Sequence, residues 1–266
     1  MSVLSRRIIS GVVYGSISLS AVYLGGVPFL GAVLVMSLLA GREYQRMMAR
    51  GGYRPLYVLQ FGLTAFLVLG VALLAPNQVL GGLVLILIGS LSWQLTRATR
   101  GERPFVDWSL TLVGALYLGL LPAYFVKLRD LTGGLSWMIL ALAAAWSCDS
   151  FAYVFGRLWG RRSFFSGVSP RKTWEGALAG WFGATVVILI LGQLLGVSAP
   201  WSLGFGLVVP LAAICGDLVE SMIKRQMGVK DSGGLVPGHG GMLDRVDSLL
   251  FAIVVAYYYV TLVRGG

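Results

Sequence analysis

The chain has 266 residues, of which 57% are hydrophobic and only 12% charged, and its mean hydropathy is +0.80. This composition excludes an ordinary soluble domain, because the surface of such a domain needs far more polar side chains. The formal net charge of +10 would suit nucleic-acid binding, but the bases form no stripe on a soluble fold and are expected to mark loops that face anionic lipid headgroups. We therefore predict an all-α, polytopic integral membrane protein with no nucleic-acid partner.

Apolar runs long enough to cross a bilayer follow one another along the chain and predict about nine transmembrane helices. Prolines at the joints, such as Pro28, Pro76 and Pro200, separate the runs. We group the first four or so spans as an N-terminal region, residues 1–105, and the last five or so as a C-terminal region, residues 106–266, which carries the expected chemistry. The predicted spans are residues 8–24, 28–47, 56–75, 78–95, 108–126, 134–156, 172–195, 201–225 and 247–263.

The bases predict how these spans are oriented. With the N-terminus in the cytoplasm, all of the 21 bases fall on the cytoplasmic side except Lys127, Arg129 and Arg264, which is the pattern of cytoplasmic loops. Arg6 and Arg7 before the first apolar run would also fit a signal peptide, but the other bases favour a retained first helix. We expect a multi-pass protein of the cell inner (cytoplasmic) membrane whose functional residues face the cytoplasm.

Charged residues are concentrated in one segment, residues 217–248, which holds five of the eleven acids. Ionisable groups at membrane depth are costly and normally face protein or a water-filled cavity, so a function is expected for them. On the predicted eighth span, polar residues spaced at i, i+3, i+4 and i+7 share one helical face: Asp217, Glu220, Ser221 and Lys224.

Two further acids, Asp244 and Asp247, lie one helical turn apart at the start of the ninth span. Carboxylates from two helices supply hard oxygen ligands, which suit Mg²⁺ that is also held by substrate phosphates. The alternative is that Asp217 pairs with Lys224 or Arg225 while Asp244 and Asp247 cap the last helix. We favour the metal site, because these acids flank a glycine-rich loop, which holds five glycines between residues 233 and 241.

This glycine-rich loop can present backbone N–H groups to anionic oxygens, and bases flank it. The combination is typical of a polyphosphate site, where catalysis consists mostly of positioning and charge neutralisation, although the P-loop pattern GxxxxGK[ST] is absent from the sequence. The single histidine, His239, has no histidine or cysteine partner for a zinc site, and a loop hydrogen bond and a catalytic role both remain open for it. The flanking bases are Lys224, Arg225, Lys230 and Arg245.

A second polar cluster, SPRKTWEG at residues 169–176, precedes the seventh span. It could be a simple helix start, with a proline before the helix and an acid in the first turn. We favour a site in which Arg171 and Lys172 lie over phosphates at the membrane surface, because Glu175 enters an apolar span. Asp149, near the end of the sixth span, is expected to be buried beside the metal site, since Arg157 lies too far along the same helix to pair with it.

These motifs together resemble a known family. The run SMIKR at residues 221–225, Lys230 and Asp231, and HGGMLDRVD at residues 239–247 are similar to the signature of phosphatidate cytidylyltransferases, also called CDP-diacylglycerol synthases. The cluster at residues 169–176 and the run DSFAYVFG at residues 149–156 resemble other stretches of that family, whereas the N-terminal half matches it only in hydropathy and length. Val236 stands where a longer aliphatic residue is usual, and the family commonly has other residues after Asp149.

The resemblance implies a homodimeric membrane enzyme of phospholipid biosynthesis that joins CTP and phosphatidic acid into CDP-diacylglycerol and pyrophosphate. It implies that Asp217, Asp244 and Asp247 bind Mg²⁺, with a K⁺ ion possible beside it. The catalytic residues would be Asp149, Lys172, Asp217, Lys224, His239, Asp244 and Asp247. The substrate-binding residues would be Arg171, Glu175, Ser221, Arg225, Lys230, Asp231, Gly240, Gly241 and Arg245.

Two other functions fit parts of this pattern. A CTP-dependent transferase that acts on a polyprenol or an ether lipid would need the same nucleotide site. An ion-coupled transporter would also place acids in helices, but transporters tend to carry paired repeats with sites near the bilayer midplane. Here the charged residues lie in one half of the chain and are expected at one membrane face, which favours the enzyme.

Overall fold

The computed structural model describes residues 3–98, 103–235 and 240–263, and every regular element within these ranges is helical. The predicted all-α class is confirmed, and each predicted span overlaps one helix. The fifth and the ninth helix each include a π-helical turn, at Leu116–Leu120 and at Tyr259–Val263. Val236, His239 and Arg264 lie outside the described residues. The helices are α1 Val3–Leu24, α2 Gly26–Arg50, α3 Tyr57–Leu73, α4 Pro76–Ala98, α5 Pro104–Arg129, α6 Gly134–Trp159, α7 Trp174–Leu194, α8 Ala199–Gln226 and α9 Leu243–Val263.

Most of these helices are long and apolar enough to cross a bilayer. Within the described residues, seven meet both conditions, namely α2 and α4 to α9, whereas α3 and the apolar part of α1 are shorter. Large apolar side chains on their outer faces are exposed, including Val27 at 81% and Val58 at 88%. Such exposure would be unfavourable in water but is expected for faces that contact lipid. The chain is therefore a multi-pass membrane protein, as predicted.

The chain forms two compact units. The first comprises Met1–Lys127 with Gln226–Asp244, and the second comprises Leu128–Arg225 with Arg245–Gly266. The predicted division at residue 105 followed motif content rather than packing, and it stays a prediction. Each unit contains part of the charged segment at residues 217–248, so the site residues are described unit by unit below.

In the first unit, polar contacts fix the face that α2 turns toward its neighbours. The hydroxyl of Tyr44 donates to the carbonyl oxygen of Leu110 in α5 at 3.0 Å, and the buried side chains of Gln45 and Gln60 are hydrogen-bonded to each other. Hydrogen bonds between buried amide groups satisfy them where water is absent. This orientation also turns Glu43, the neighbour of Tyr44 in sequence, into the protein interior, where it is 4% exposed.

In the second unit, small residues allow helices to approach closely. A Cβ atom on Gly176 would lie 2.8 Å from the carbonyl oxygen of Ala152, and one on Gly180 would lie 2.7 Å from that of Cys148. Glycines four residues apart therefore let the backbones of α6 and α7 meet, as in other membrane helix pairs. The close contact brings Asp149 of α6 near the polar segment that leads into α7.

Candidate active site

A polar cavity of about 640 Å³ opens in the second unit between α6, the segment before α7, and α8. Four of the predicted site residues contribute charge to its wall, and three of them are Asp149, Lys172 and Asp217. Arg171 also lines the cavity, whose remaining wall includes apolar side chains such as Phe164. The cavity therefore joins acids and bases from three separate parts of the chain, as expected for a site that binds a charged substrate.

Lys172 and Asp217 form an ion pair within this cavity. Their side chains are 31% and 25% exposed, so both remain accessible. The alternative weighed above paired Asp217 with Lys224 or Arg225; in the structure its partner is Lys172. A pair that retains solvent access can exchange partners at modest cost, because neither charge has to be removed from a dry interior first.

Asp149 does not have the predicted burial. Its side chain is exposed rather than buried, because the end of α6 faces the cavity. It nevertheless lies within electrostatic range of Asp217 and Asp247, and of the bases Lys172 and Arg245. The expected neighbourhood of this acid is therefore present, and the expectation of burial was wrong.

Helices α8 and α9 approach each other closely beside the predicted metal ligands. A Cβ atom on Gly216 would lie 2.5 Å from the backbone oxygen of Asp247. This contact brings together the helix positions that carry Asp217 and Asp247, whose charges interact. Asp247 is 9% exposed, and its carboxylate accepts a hydrogen bond from the backbone N–H of Ser248 at 2.7 Å.

On the same helix, Lys224 pairs with Glu220 one turn before it. Glu220 is fully buried, Ser221 is 8% exposed and Lys224 is 9% exposed. A buried acid needs a compensating base, so this pair accounts for much of the charge that the sequence places inside α8. The shared helical face that the spacing predicted is thus largely an interior face.

The segment before α7 is held by its own hydrogen bonds. The carboxylate of Glu175 accepts from the backbone N–H groups of Arg161 at 3.1 Å and Arg162 at 3.3 Å. The hydroxyl of Thr173 accepts from the N–H of Gly176 at 3.2 Å and caps α7. Glu175 therefore orders the loop that carries Lys172, and its predicted contact with substrate stays a prediction.

Arg225 contributes to the same loop from α8. Its Nε donates to the carbonyl oxygen of Val168 at 3.3 Å, and its side chain is exposed. Arg245 at the start of α9 is exposed as well. Both guanidinium groups are thus accessible, and their predicted contact with substrate stays a prediction.

The remaining predicted residues belong to the first unit, where Asp244 organises the glycine-rich loop. Its carboxylate accepts from the backbone N–H of Ser232 at 3.0 Å, from the hydroxyl of Ser232 at 2.9 Å and from the N–H of Gly241 at 2.8 Å. Gly240 has a φ of +86°, a left-handed conformation that favours glycine. Lys230 and Asp231 are exposed on the same loop.

A residue that the sequence reasoning missed lies beneath this loop. The carboxylate of Glu43 accepts from the backbone N–H of Leu243 at 2.9 Å, and it shares the single hydroxyl proton of Ser232, at 3.2 Å, with the carboxylate of Asp244. One signal could have identified it, because an acid inside an apolar span is by default a functional candidate. Its contacts lie about two hundred residues further along the chain, a pairing that no local pattern reveals.

The predicted metal ligands fit a magnesium ion in donor chemistry. Asp217 and Asp247 offer hard carboxylate oxygens whose charges interact, and Mg²⁺ usually takes one or two carboxylates together with water and substrate phosphates. In the described part of the chain, no group of three or more histidine, cysteine, aspartate or glutamate side chains is arranged to hold a metal by itself. The carboxylate of Asp244 already accepts hydrogen bonds within its loop. The metal role of all three aspartates therefore stays a prediction.

Comparison with known proteins supplies an independent observation. A model of the cytidylyltransferase family matches residues 5–263. A phosphatidate cytidylyltransferase from Synechocystis sp. is 34% identical over 288 residues, which cover 97% of each chain. One from Brucella abortus is 32% identical over 97% of this chain and 94% of its own. Chloroplastic phosphatidate cytidylyltransferase 4 from Arabidopsis thaliana is 32% identical over 97% of this chain and 74% of its own. The similarity thus extends through the N-terminal half, where the motifs alone indicated only hydropathy and length.

Proposed function

Because the chain belongs to the cytidylyltransferase family, we propose that it transfers a cytidylyl group from CTP to phosphatidic acid and so forms CDP-diacylglycerol and pyrophosphate. The observation that carries this proposal is the cavity in which Lys172 and Arg171 meet Asp149 and Asp217. Bases suit phosphates, and nearby acids suit the cation that accompanies a triphosphate.

An apolar groove beside that cavity supports a lipid substrate. It has a volume of about 560 Å³ and is lined by apolar side chains, among them Trp174 and Leu218. Phe164, Ala177 and Ile214 line both the groove and the polar cavity, so the two spaces share a wall. A molecule with a phosphate head and acyl chains matches this pairing, because its charged and apolar parts each find a suitable surface.

The reaction needs positioning more than strong acid–base catalysis. A phosphate oxygen of phosphatidic acid attacks the α-phosphorus of CTP and forms a new P–O bond, while the bond from that phosphorus to the bridging oxygen of pyrophosphate breaks. A phosphate monoester is already a nucleophile near neutral pH, so no strong protein base is required. Lys172 and Arg171 bind phosphate oxygens and offset the negative charge that develops during transfer.

We also propose that the reaction depends on Mg²⁺ held by Asp217, Asp244 and Asp247, with K⁺ as a second cation. A divalent ion would neutralise charge on the phosphates when bound. Lys224, Arg225, Lys230, Asp231 and Arg245 complete the proposed nucleotide and phosphate site, together with Ser221, His239, Gly240 and Gly241. The proposed assembly is a homodimer in the inner membrane, with the N-terminus and the active site on the cytoplasmic side, as the distribution of bases predicts.

A substrate panel tests the proposal. Purified protein is incubated with CTP labelled in the cytosine ring, Mg²⁺ and, in separate reactions, phosphatidic acid, a polyprenyl phosphate or a phosphorylated ether lipid. We expect labelled lipid with phosphatidic acid and at most about a tenth as much with the others, since a tenfold preference needs only about 1.4 kcal/mol. If label entered only the polyprenyl phosphate or the ether lipid, that lipid, and not phosphatidic acid, would be the substrate.

A further inference from the structure

Glu43 is a buried acid in the second helix, outside the region that carries the recognised motifs. It is 4% exposed within α2, a helix long and apolar enough to span the membrane. An acid at such a position is costly unless its environment stabilises it. The groups that stabilise the Glu43 carboxylate by hydrogen bonds belong to the glycine-rich loop of the same unit and to the residue that follows it.

The carboxylate of Glu43 joins the two ends of that loop. It accepts from the hydroxyl of Ser232 near the start of the loop at 3.2 Å and from the backbone N–H of Leu243 at its end at 2.9 Å. The Ser232 hydroxyl also lies 2.9 Å from the carboxylate of Asp244. One side chain of α2 thus contacts the loop near both of its ends, and Ser232 links it to Asp244, an acid predicted to act in catalysis.

Two glycines of the loop pack closely against this carboxylate. A Cβ atom on Gly233 would lie 2.5 Å from Oε1 of Glu43. A Cβ atom on Gly241 would overlap both Oε2 of Glu43 and the hydroxyl of Ser232. Among the described residues Oε1 of Glu43 has no hydrogen-bond partner. The backbone at Gly233 packs against this oxygen. The loop therefore needs glycine here because Glu43 occupies the space that a side chain would take.

We propose that Glu43 is a positioning residue for the reaction, an inference that rests on the proposed function. By holding Ser232 and Leu243, it fixes the loop conformation in which Asp244 and the backbone N–H groups are prearranged for the nucleotide phosphates. Because Oε1 is buried and Oε2 is already occupied by Ser232 and Leu243, Glu43 acts through the loop rather than by touching substrate. Prearrangement lowers the ordering cost of binding, so its loss weakens nucleotide binding more than lipid binding.

Kinetics of Glu43 variants test the proposal. For Glu43→Ala we expect the KM for CTP to rise about tenfold while the KM for phosphatidic acid changes less than about twofold. Glu43→Gln keeps an oxygen that can accept from both Ser232 and Leu243, and its KM for CTP should stay within about threefold of wild type. Asp107→Ala is the matched control, because Asp107 is also a buried acid of this unit and accepts a backbone N–H from Arg54 at 2.8 Å, away from the loop.

Gly233→Ala disturbs the same contact without changing Glu43, because the added Cβ would meet the carboxylate. It also serves as the test if Glu43→Ala fails to fold. Its kinetic change should match that of Glu43→Ala. The inference is overturned if the folded variant has the wild-type KM for CTP, if both KM values rise equally, or if Glu43→Gln is as impaired as Glu43→Ala.

Hydrogen exchange separates this inference from the proposed function. Peptides covering residues 231–235 and 240–243 should lose protection in Glu43→Ala and Gly233→Ala. They should keep it in Gly234→Ala, where an added Cβ meets nothing within 4 Å. If the wild-type protein makes no CDP-diacylglycerol, the proposed function fails while this measurement still applies. Unchanged exchange in Glu43→Ala would overturn the positioning role whether or not the enzyme is active.

Discussion

Lys172, in the segment before α7, forms an ion pair with Asp217 of α8, 45 residues further along the chain. Both side chains also line the polar cavity of the second unit. A base that neutralises an acid in the free protein and lines an open cavity can bind a phosphate instead when substrate enters the cavity. Lys172 is therefore expected to change partners from Asp217 to a substrate phosphate during the reaction.

Replacement of Lys172 should impair catalysis more than folding. Lys172→Ala removes a positive charge from the cavity, and we expect kcat/KM to fall about 100-fold, the usual effect of losing one charge-stabilising donor. Lys172→Arg keeps the charge and should recover part of the activity. Lys127→Ala, at a base outside the cavity, is the control and should retain wild-type activity. A kcat/KM for Lys172→Ala within a few-fold of wild type would contradict the role.

Replacement of Asp247 should weaken the binding of the magnesium ion that the reaction is proposed to need. Asp247→Asn keeps the size of the side chain but removes the charge that a hard cation requires, so we expect activity to fall about 100-fold and the half-saturating Mg²⁺ concentration to rise. A magnesium titration of the folded variant measures both effects. Near-normal turnover with an unchanged magnesium requirement would remove Asp247 from the metal site.

The close approach of α8 and α9 should not tolerate a larger residue. In Gly216→Ala the new Cβ would meet the backbone oxygen of Asp247 at 2.5 Å, so we expect a loss of about 1–3 kcal/mol of stability. Gly62→Ala is the matched helical control, because an added Cβ there meets nothing within 4 Å and should be neutral or stabilise by about 0.5–1 kcal/mol. Thermal unfolding in one detergent compares them. Equal midpoints would contradict the close contact.

Glu175 should protect the loop before α7 from proteolysis. Its carboxylate holds the N–H groups of Arg161 and Arg162, so Glu175→Ala should increase the rate of trypsin cleavage after these arginines about fivefold or more. Asp130→Ala, an exposed acid elsewhere in the same unit, is the control and should leave the rate unchanged. A cleavage rate in Glu175→Ala equal to that of wild type would show that the loop is held by other contacts.

Hydropathy predicted the helical architecture well. The nine predicted spans each overlap one helix of the described chain, because the apolar requirement of a bilayer acts on every residue of a span. The π-helical turns in α5 and α9 were not predicted, since they change the register by a single residue and leave no mark on hydropathy.

Local sequence patterns identified the charged residues but not their partners. Lys172 and Asp217 were both selected, yet their pairing depends on how α8 packs beside the segment that precedes α7. Asp149 was expected to be buried because it lies in an apolar helix, whereas a cavity at the end of α6 exposes it. Glu43 was missed because its partners, Ser232 and Leu243, are distant in sequence.

We propose that the protein transfers a cytidylyl group, rather than a phosphoryl group, from CTP to the lipid. Two forms of CTP, one labelled in the α-phosphate and one in the γ-phosphate, are each incubated with the purified protein, phosphatidic acid and Mg²⁺. We predict that the α label appears in the lipid and the γ label in released pyrophosphate, and that both signals fall about 100-fold in Lys172→Ala. Transfer of the γ label to lipid, or no transfer of the α label, would contradict the claim.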